Sequence, residues 1–328
     1  ILTRSARFGR NTTTMPEWGS SPSSFWTTAA SPSWPFLKST GFSAITIRSP
    51  AVGTITASCR ALPRSRQSGR RAYAAAHIPG AVFADLDNDL SAPIRPDTGR
   101  HPLPEVSDIA ATFGRLGVDN SIDVIVYDEG PGSLAARAWW MLRWLGHERV
   151  RLLNGGFQAW QKQGLPLVGE VEQAEHRNFV PRPREDRIVT TSELSDGVEN
   201  IEAMNLIDAR DVARFRGEIE PIDTVAGHVP GARNMPFQMS LDEAGWWRPQ
   251  KELRSLWAEA LGEDTDTAWM VMCGSGVTAC HLAISALEAG YREPRLYVGS
   301  WSEWIRDPAR PVGLGEGPSG PAEAADLS

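Results

Sequence analysis

The sequence predicts an α/β protein of two tandem domains, each a mainly parallel sheet with helices on both faces. Three observations carry that prediction. Short apolar, β-branched runs alternate with helical stretches, the pattern of parallel strands joined by crossover helices. One set of landmarks occurs twice, at a nearly constant offset of 144 to 151 residues, too long for a solenoid of short repeats. The length of 328 residues suits two ordinary domains.

The first unit opens on His-Ile-Pro-Gly-Ala (77–81) and continues with a strand, Val-Ile-Val-Tyr-Asp (124–128). A helical stretch, Ala-Arg-Ala-Trp-Trp-Met-Leu (136–142), follows, and Gly-Gly-Phe-Gln-Ala-Trp (155–160) closes it. The second unit reads His-Val-Pro-Gly-Ala (228–232), a strand Trp-Met-Val-Met (269–272), a helix over 279–289 and Gly-Ser-Trp-Ser-Glu-Trp (299–304). Residues 206–208 and 295–298 are further strands, and 253–261 a further helix. This divides the chain into an atypical segment 1–76, a first domain 77–167, a Pro-, Glu- and Arg-rich linker 168–190, a second domain 191–313 and a frayed tail 314–328.

The chemistry centres on Cys-Gly-Ser-Gly-Val-Thr-Ala-Cys (273–280). Cys273 ends an apolar strand and precedes two glycines and a helix start. The first N–H groups of a helix have no partner within it, and with the helix dipole they favour an anion. A thiol held there is driven toward thiolate, the nucleophilic form. In open parallel sheets, ligands sit outside the carboxyl ends of the strands, where Cys273 lies. The plain alternative is an inert buried cysteine beside a tight turn. Asp128 occupies the corresponding place in the first unit. A carboxylate is not a thiolate nucleophile, so the first domain is expected to be catalytically silent.

Composition narrows the class. Hydrophobic residues make up 41% and charged residues 22%, values of a globular protein, and no apolar run approaches the ~20 residues of a membrane helix. Three cysteines, Cys59, Cys273 and Cys280, form no disulfide framework and point to a reducing compartment, the cytoplasm. No metal-ligand spacing occurs, so neither metal nor other cofactor is expected. The net charge of −7 combines +9 over residues 1–76 with −16 over the rest. An acidic folded body argues against nucleic acid as a partner, and any anionic substrate must be held by local basic groups.

These residues together resemble the two-domain rhodanese family, and within it the 3-mercaptopyruvate and thiosulfate sulfurtransferases. The likeness runs from about residue 77 to 313. It rests on Cys-Gly-Ser-Gly-Val-Thr, Asp-Ala-Arg (208–210), Gly-His-Val-Pro-Gly-Ala (227–232) and Gly-Ser-Trp-Ser-Glu-Trp. The resemblance implies tandem rhodanese-like domains and a ping-pong sulfur transfer. Cys273 takes sulfur from a small donor as a persulfide, and a thiol, cyanide or a thioredoxin-like protein removes it. It implies that N–H groups from Gly274, Gly276, Val277 and Thr278 hold the persulfide. It also implies a Ser275–His101–Asp87 relay beside the cysteine, with Arg137 reaching across from the first domain. Arg214 falls on the first of two family arginines that hold a donor carboxylate. Ile222 takes the place of the second, which weakens mercaptopyruvate as the donor relative to thiosulfate. The plain alternatives are a turn serine, a surface histidine, a capping aspartate and surface arginines.

His77 and His228 read as turn residues, and Cys280 as a packed core thiol. Two rival classes are set apart by sequence or assay. A cysteine phosphatase needs an arginine six residues after the cysteine, where this chain has Ala279. A non-turnover persulfide carrier would use the same Cys273 and differs only in lacking turnover.

Residues 1–76 fit no such pattern. They hold 23 Ser or Thr, an Arg-rich stretch over 60–71 and no clear period of 2 or 3.6. An organelle-targeting segment is one reading. The favoured one is translation from a wrong reading frame, with the true frame resuming near Tyr73 and the first sheet lacking its opening strand. Translating the two other frames of the encoding DNA tests this. One of them should yield a strand, a helix and an Asp-Ala pattern, and if neither does the idea fails.

Overall fold

The computed structural model describes residues 36–37, 52–58, 66–171 and 173–318. Two five-stranded sheets are seen, and every strand pairing in them is parallel. The first contains β1 (Phe36–Leu37), β2 (Val52–Ser58), β3 (Ala81–Asp85), β4 (Asp123–Tyr127) and β5 (Val150–Leu153), in the order β1-β5-β4-β2-β3. The second contains β6 (Ile188–Val189), β7 (Leu206–Asp208), β8 (Arg233–Asn234), β9 (Met270–Met272) and β10 (Arg295–Tyr297), in the order β6-β10-β9-β7-β8. The two orders are the same, strand for strand, as a duplicated unit requires.

Helices cover both faces of each sheet, and strand alternation explains how. In the second sheet Ile207, Val271 and Leu296 face one core, which takes Leu253 and Trp257 of α7 (Gln250–Leu261) and Leu282 of α8 (Thr278–Glu288). Their neighbours Leu206, Met270, Met272 and Tyr297 face the other. That core takes Leu194 of α5 (Thr191–Asp196), Phe215 of α6 (Val212–Phe215) and Trp301 of α9 (Ser300–Trp304). In the first sheet α2 (Val106–Arg115) and α3 (Ala135–Trp144) share one face. Tyr73 of α1 (Arg66–Ala75) and Trp160 of α4 (Gly156–Lys162) pack on the other.

The core between the sheets is continuous across both units. α3 and α8 meet there, and both are buried almost all round. This accounts for their sequence, apolar on every face, which a helix exposed on one side would not carry. Arg143 of α3 donates from Nη2 to Glu293 of the second unit at 2.8 Å. Cys273 belongs to this shared core, on the side that faces the first unit.

Several expectations are corrected. The opening strand is present: β2 sits between β4 and β3, with Val52 opposite Asp123 and Ser58 opposite Asp85. Its sequence, Val-Gly-Thr-Ile-Thr-Ala-Ser, has β-branched residues at four of seven places, enough for a central strand. Gly53 and the surrounding Ser/Thr excess mask that pattern. Helix α1 likewise lies inside the segment read as patternless. Cys59 and residues 1–35 lie outside the described residues. The linker 168–190 belongs to the domains at both ends, since Val168 bridges His77 and β6 pairs with β10. Residues 314–318 are also attached: Gly315 N–H donates to the Arg216 carbonyl at 2.9 Å, and Arg216 pairs with Glu316 at 2.6 Å. Residues 319–328 lie outside the described residues.

Candidate functional site

β4 and β9 are the central strands of their sheets, and each runs directly into a loop that starts a helix. In the first unit Asp128 follows β4. Its carboxylate accepts from the N–H groups of Gly130 and Gly132 at 2.9 Å, Leu134 at 2.8 Å and Ala135 at 3.1 Å. Burial pushes this carboxyl up, against the pull of the four donors. Every neighbour bonded to its oxygens is a donor, so a carboxyl proton would find no acceptor among them. The loop is built for a group that only accepts.

In the second unit Cys273 follows β9 and is 1% exposed. Its own N–H donates to Ser300 Oγ at 3.1 Å, and its carbonyl accepts from Trp301 N–H at 3.0 Å. Ser300 has a left-handed φ of 51° and donates its hydroxyl to the Tyr297 carbonyl. The repeated Gly-Ser-Trp-Ser-Glu-Trp motif thus anchors the main chain of the cysteine. Among the described residues, the N–H groups of Gly274, Ser275, Gly276 and Val277 donate to no oxygen. They are free to serve an anion at Cys273, and Thr278 begins α8 behind them.

The two loop glycines have different reasons. Gly276 has φ 73° and lies against the Val298 carbonyl, so a side chain there meets both strain and collision. Gly274 lies beneath two guanidiniums, which would have to shift to admit a side chain. A Cβ there would sit 2.9 Å from Nη2 of Arg100 and 3.5 Å from both terminal nitrogens of Arg214.

The predicted relay residues come together. His101 Nδ1 lies 2.8 Å from Ser275 Oγ, and His101 Nε2 lies 3.4 Å from Asp87 Oδ1. Burial, with Arg137 and Arg100 nearby, holds His101 down to about 3, so the ring is neutral near pH 7. A neutral ring with Asp87 at Nε2 carries its proton there. Nδ1 is then free to accept the Ser275 hydroxyl proton.

Arg137, fully buried on α3, donates to the Gly276 carbonyl and the His101 carbonyl, each at 3.0 Å. It therefore ties the cysteine loop to the loop that bears the histidine. Cys280 donates its thiol to the Gly276 carbonyl at 3.4 Å, and burial pushes it up to about 12. It stays a thiol, as a packing residue should. His77 and His228 are equivalent turn residues. Each donates its Nδ1–H to a main-chain carbonyl at 2.8 Å and bridges the far end of its own unit.

Arg214, on α6, is not a free surface side chain. It pairs with Glu220 at 2.8 Å and with Asp223 at 3.2 Å. Ile222, at the place of the missing arginine, is 52% exposed. The second guanidinium over the cysteine loop comes instead from Arg100, in the first unit. Its loop is docked on α9: Gly99 N–H donates to Glu303 at 3.2 Å and Arg100 N–H to Ser302 Oγ at 3.0 Å. Arg100 Nη1 is bonded to Asp223. Burial pulls Arg100 below the ordinary guanidinium range, and the Cys273 sulfur acts the other way. Sequence reading missed Arg100, Asp223 and Ser300. Only Ser300 left a signal, through the repeated motif.

The chain belongs to the rhodanese family: the Rhodanese-like domain model matches residues 64–163 and again residues 190–307. A relative described as "Probable 3-mercaptopyruvate sulfurtransferase" from Pseudomonas aeruginosa is 43% identical over 260 residues, 79% of this chain and 91% of its own length. Chicken thiosulfate sulfurtransferase is 35% identical over 247 residues, 74% of this chain and 83% of its own. The crystal structure of the Escherichia coli 3-mercaptopyruvate sulfotransferase superposes with a TM-score of 0.67 at 33% identity. That match covers 77% of this chain and 94% of the other.

A neutral buried His101 has a consequence for stability. Its folded pKa lies below the free value, so the unfolded chain binds the extra proton between about pH 6.5 and 3. Stability is therefore lost as pH falls through that window, by about 1.4 kcal/mol per unit at most. Urea unfolding of the wild type and the His101→Gln variant at pH 7, 6, 5 and 4 checks this. The variant should lose less stability on acidification, and parallel curves would contradict a buried neutral ring.

Proposed function

We propose that this protein is a sulfurtransferase that carries a sulfane sulfur from thiosulfate or 3-mercaptopyruvate to a thiol or cyanide through a persulfide on Cys273. The observation that carries the reading is a buried cysteine at the mouth of a strand–loop–helix turn with unpaired N–H groups. Beside it stand a Ser–His–Asp chain and two guanidiniums.

The Cys273 thiolate attacks the outer sulfur of thiosulfate. The sulfur–sulfur bond of the donor breaks and sulfite leaves with the electron pair. With mercaptopyruvate the carbon–sulfur bond breaks instead, and the donor's thiol proton passes to the carbon of the leaving enolate. Ser275, His101 and Asp87 suit that transfer, because neutral His101 can take a proton from the serine and return it. The terminal persulfide sulfur is anionic, and N–H groups from Gly274 to Thr278 stabilise it in a site that excludes water. An incoming thiolate or cyanide then takes that sulfur and restores the Cys273 thiolate. Arg137 has a positioning role, holding the two loops together. The first domain, with Asp128 in its loop, carries no sulfur and forms one wall of the cleft.

A thioredoxin-like protein suits the acceptor role, since a dithiol can remove the sulfur and release it as sulfide. The cytoplasm suits the chemistry, because Cys273 must remain reduced. Among the described residues no helix is long and apolar enough to cross a membrane.

Turnover with each donor and cyanide tests the reading. Cys273→Ala should abolish it, and retained activity would remove the mechanism. Arg214→Ala should lower donor kcat/KM by about 10- to 100-fold, the worth of a charge-assisted pair, with the larger loss for a carboxylate donor. Loading of one sulfur per chain without turnover would mark a carrier instead of an enzyme.

A further inference from the structure

The Ser275–His101 pair joins the cysteine loop of the second unit to a loop of the first, across 2.8 Å. Two residues bracket that pair, and each grips both loops. On one side Arg137 donates to the Gly276 carbonyl and to the His101 carbonyl. On the other side stands Ser302 of α9. Its main-chain N–H donates to the Gly274 carbonyl at 2.9 Å, and its Oγ accepts from Arg100 N–H at 3.0 Å. Gly274 and Gly276 are the two chain neighbours of Ser275, and Arg100 precedes His101. Ser302 is 3% exposed, so water competes little for these bonds.

The first-unit loop is seated on the α9 segment at three successive residues. Besides the Ser302–Arg100 bond, Glu303 accepts from Gly99 N–H at 3.2 Å, and Arg306 Nε donates to the Thr98 carbonyl at 3.0 Å. Glu303 is itself held by the Thr191 hydroxyl. The approach is so close that residue 99 has no room for a side chain. A Cβ there would sit 2.5 Å from the Gly299 carbonyl oxygen and 2.9 Å from Ser302 Oγ. Gly99 is not among the glycines with a left-handed φ. Contact between the units, and not backbone conformation, is therefore what excludes a side chain there. The nearest obstacle is main chain of the motif that anchors Cys273, and main chain cannot swing aside as a side chain would.

A proton moves efficiently between two groups only when they are held within hydrogen-bond reach. We propose that Ser302 is a positioning residue for the Ser275–His101 pair, the counterpart of Arg137, and that Gly99 lets the first-unit loop come close enough for that grip. Both act through His101. This inference rests on the sulfurtransferase reading above, in which mercaptopyruvate requires a proton transfer and thiosulfate requires none.

Ping-pong kinetics give kcat/KM separately for each donor and for cyanide, so the test is the split among them in Ser302→Ala, Ser302→Thr and Gly99→Ala. Ser302→Ala should lower kcat/KM for mercaptopyruvate about 10-fold. The loss with thiosulfate should stay below about threefold, and kcat/KM for cyanide should not change. Ser302→Thr keeps the hydroxyl and should recover part of the loss. Gly99→Ala should show the same split between donors with every relay side chain intact. A variant that merely folds less well loses all three values in proportion. Such equal losses in Ser302→Ala and Gly99→Ala overturn the inference while the sulfurtransferase reading stands. So does a mercaptopyruvate kcat/KM within about twofold of wild type in both variants, or a wild type that accepts thiosulfate alone, since the pair then has no proton to carry. A wild-type protein that takes sulfur from neither donor overturns the underlying reading, and the inference with it.

Discussion

A buried parallel strand that turns directly into a helix leaves main-chain N–H groups with nothing to donate to. Something must accept from them, and the fold answers the same demand twice. In the first unit a carboxylate does so, with four N–H donors around Asp128. In the second the loop N–H groups that follow the buried Cys273 donate to no oxygen. The first loop is in effect the protein's own measure of what the second one favours: a compact group that accepts and does not donate. A thiolate, and still more the outer sulfur of a persulfide, is such a group. The glycines follow from this, because a nest of amides forms only where the backbone can approach closely.

The rest of the site depends on how the two units dock. Cys273, Ser275 and Arg214 belong to the second unit, whereas His101, Asp87, Arg100 and Arg137 belong to the first. Neither set is complete alone. Burial of α3 against α8 joins the two cores, and Arg137 spends its hydrogen bonds on one carbonyl from each side. Leaving a fully buried guanidinium unpaired would be costly, so this residue couples the register of the two loops to the packing of the interface. The first unit, with Asp128 after its central strand, supplies His101 and Arg100 to the surroundings of the cysteine loop.

Much of this is legible in the sequence. The repeated landmarks reveal the duplication because a strand end, a helix and a closing aromatic motif recur with constant spacing. The Cys273 loop is legible because glycines between an apolar strand and a helix have few other uses. The relay is legible only through the family resemblance. What stays hidden has physical reasons. The strand Val52–Ser58 is short and rich in Thr and Ser, so composition disguises its β-branched residues. Arg100 lies 174 residues from Gly274 in the chain and meets it through docking of the two units, which no local pattern encodes. Reading the 220–224 stretch alone registers a missing arginine. In three dimensions the same stretch supplies a carboxylate to an arginine that has come from elsewhere.

The central claim is that the amide nest at the end of β9 holds a second sulfur on Cys273. Peptide mass spectrometry of the full-length protein after brief exposure to thiosulfate, or to mercaptopyruvate, tests it most directly. The account predicts a gain of about 32 Da, one sulfur atom, confined to the peptide bearing Cys273 and removed by cyanide. A gain on Cys280 or Cys59 instead, or no gain with either donor, would contradict it.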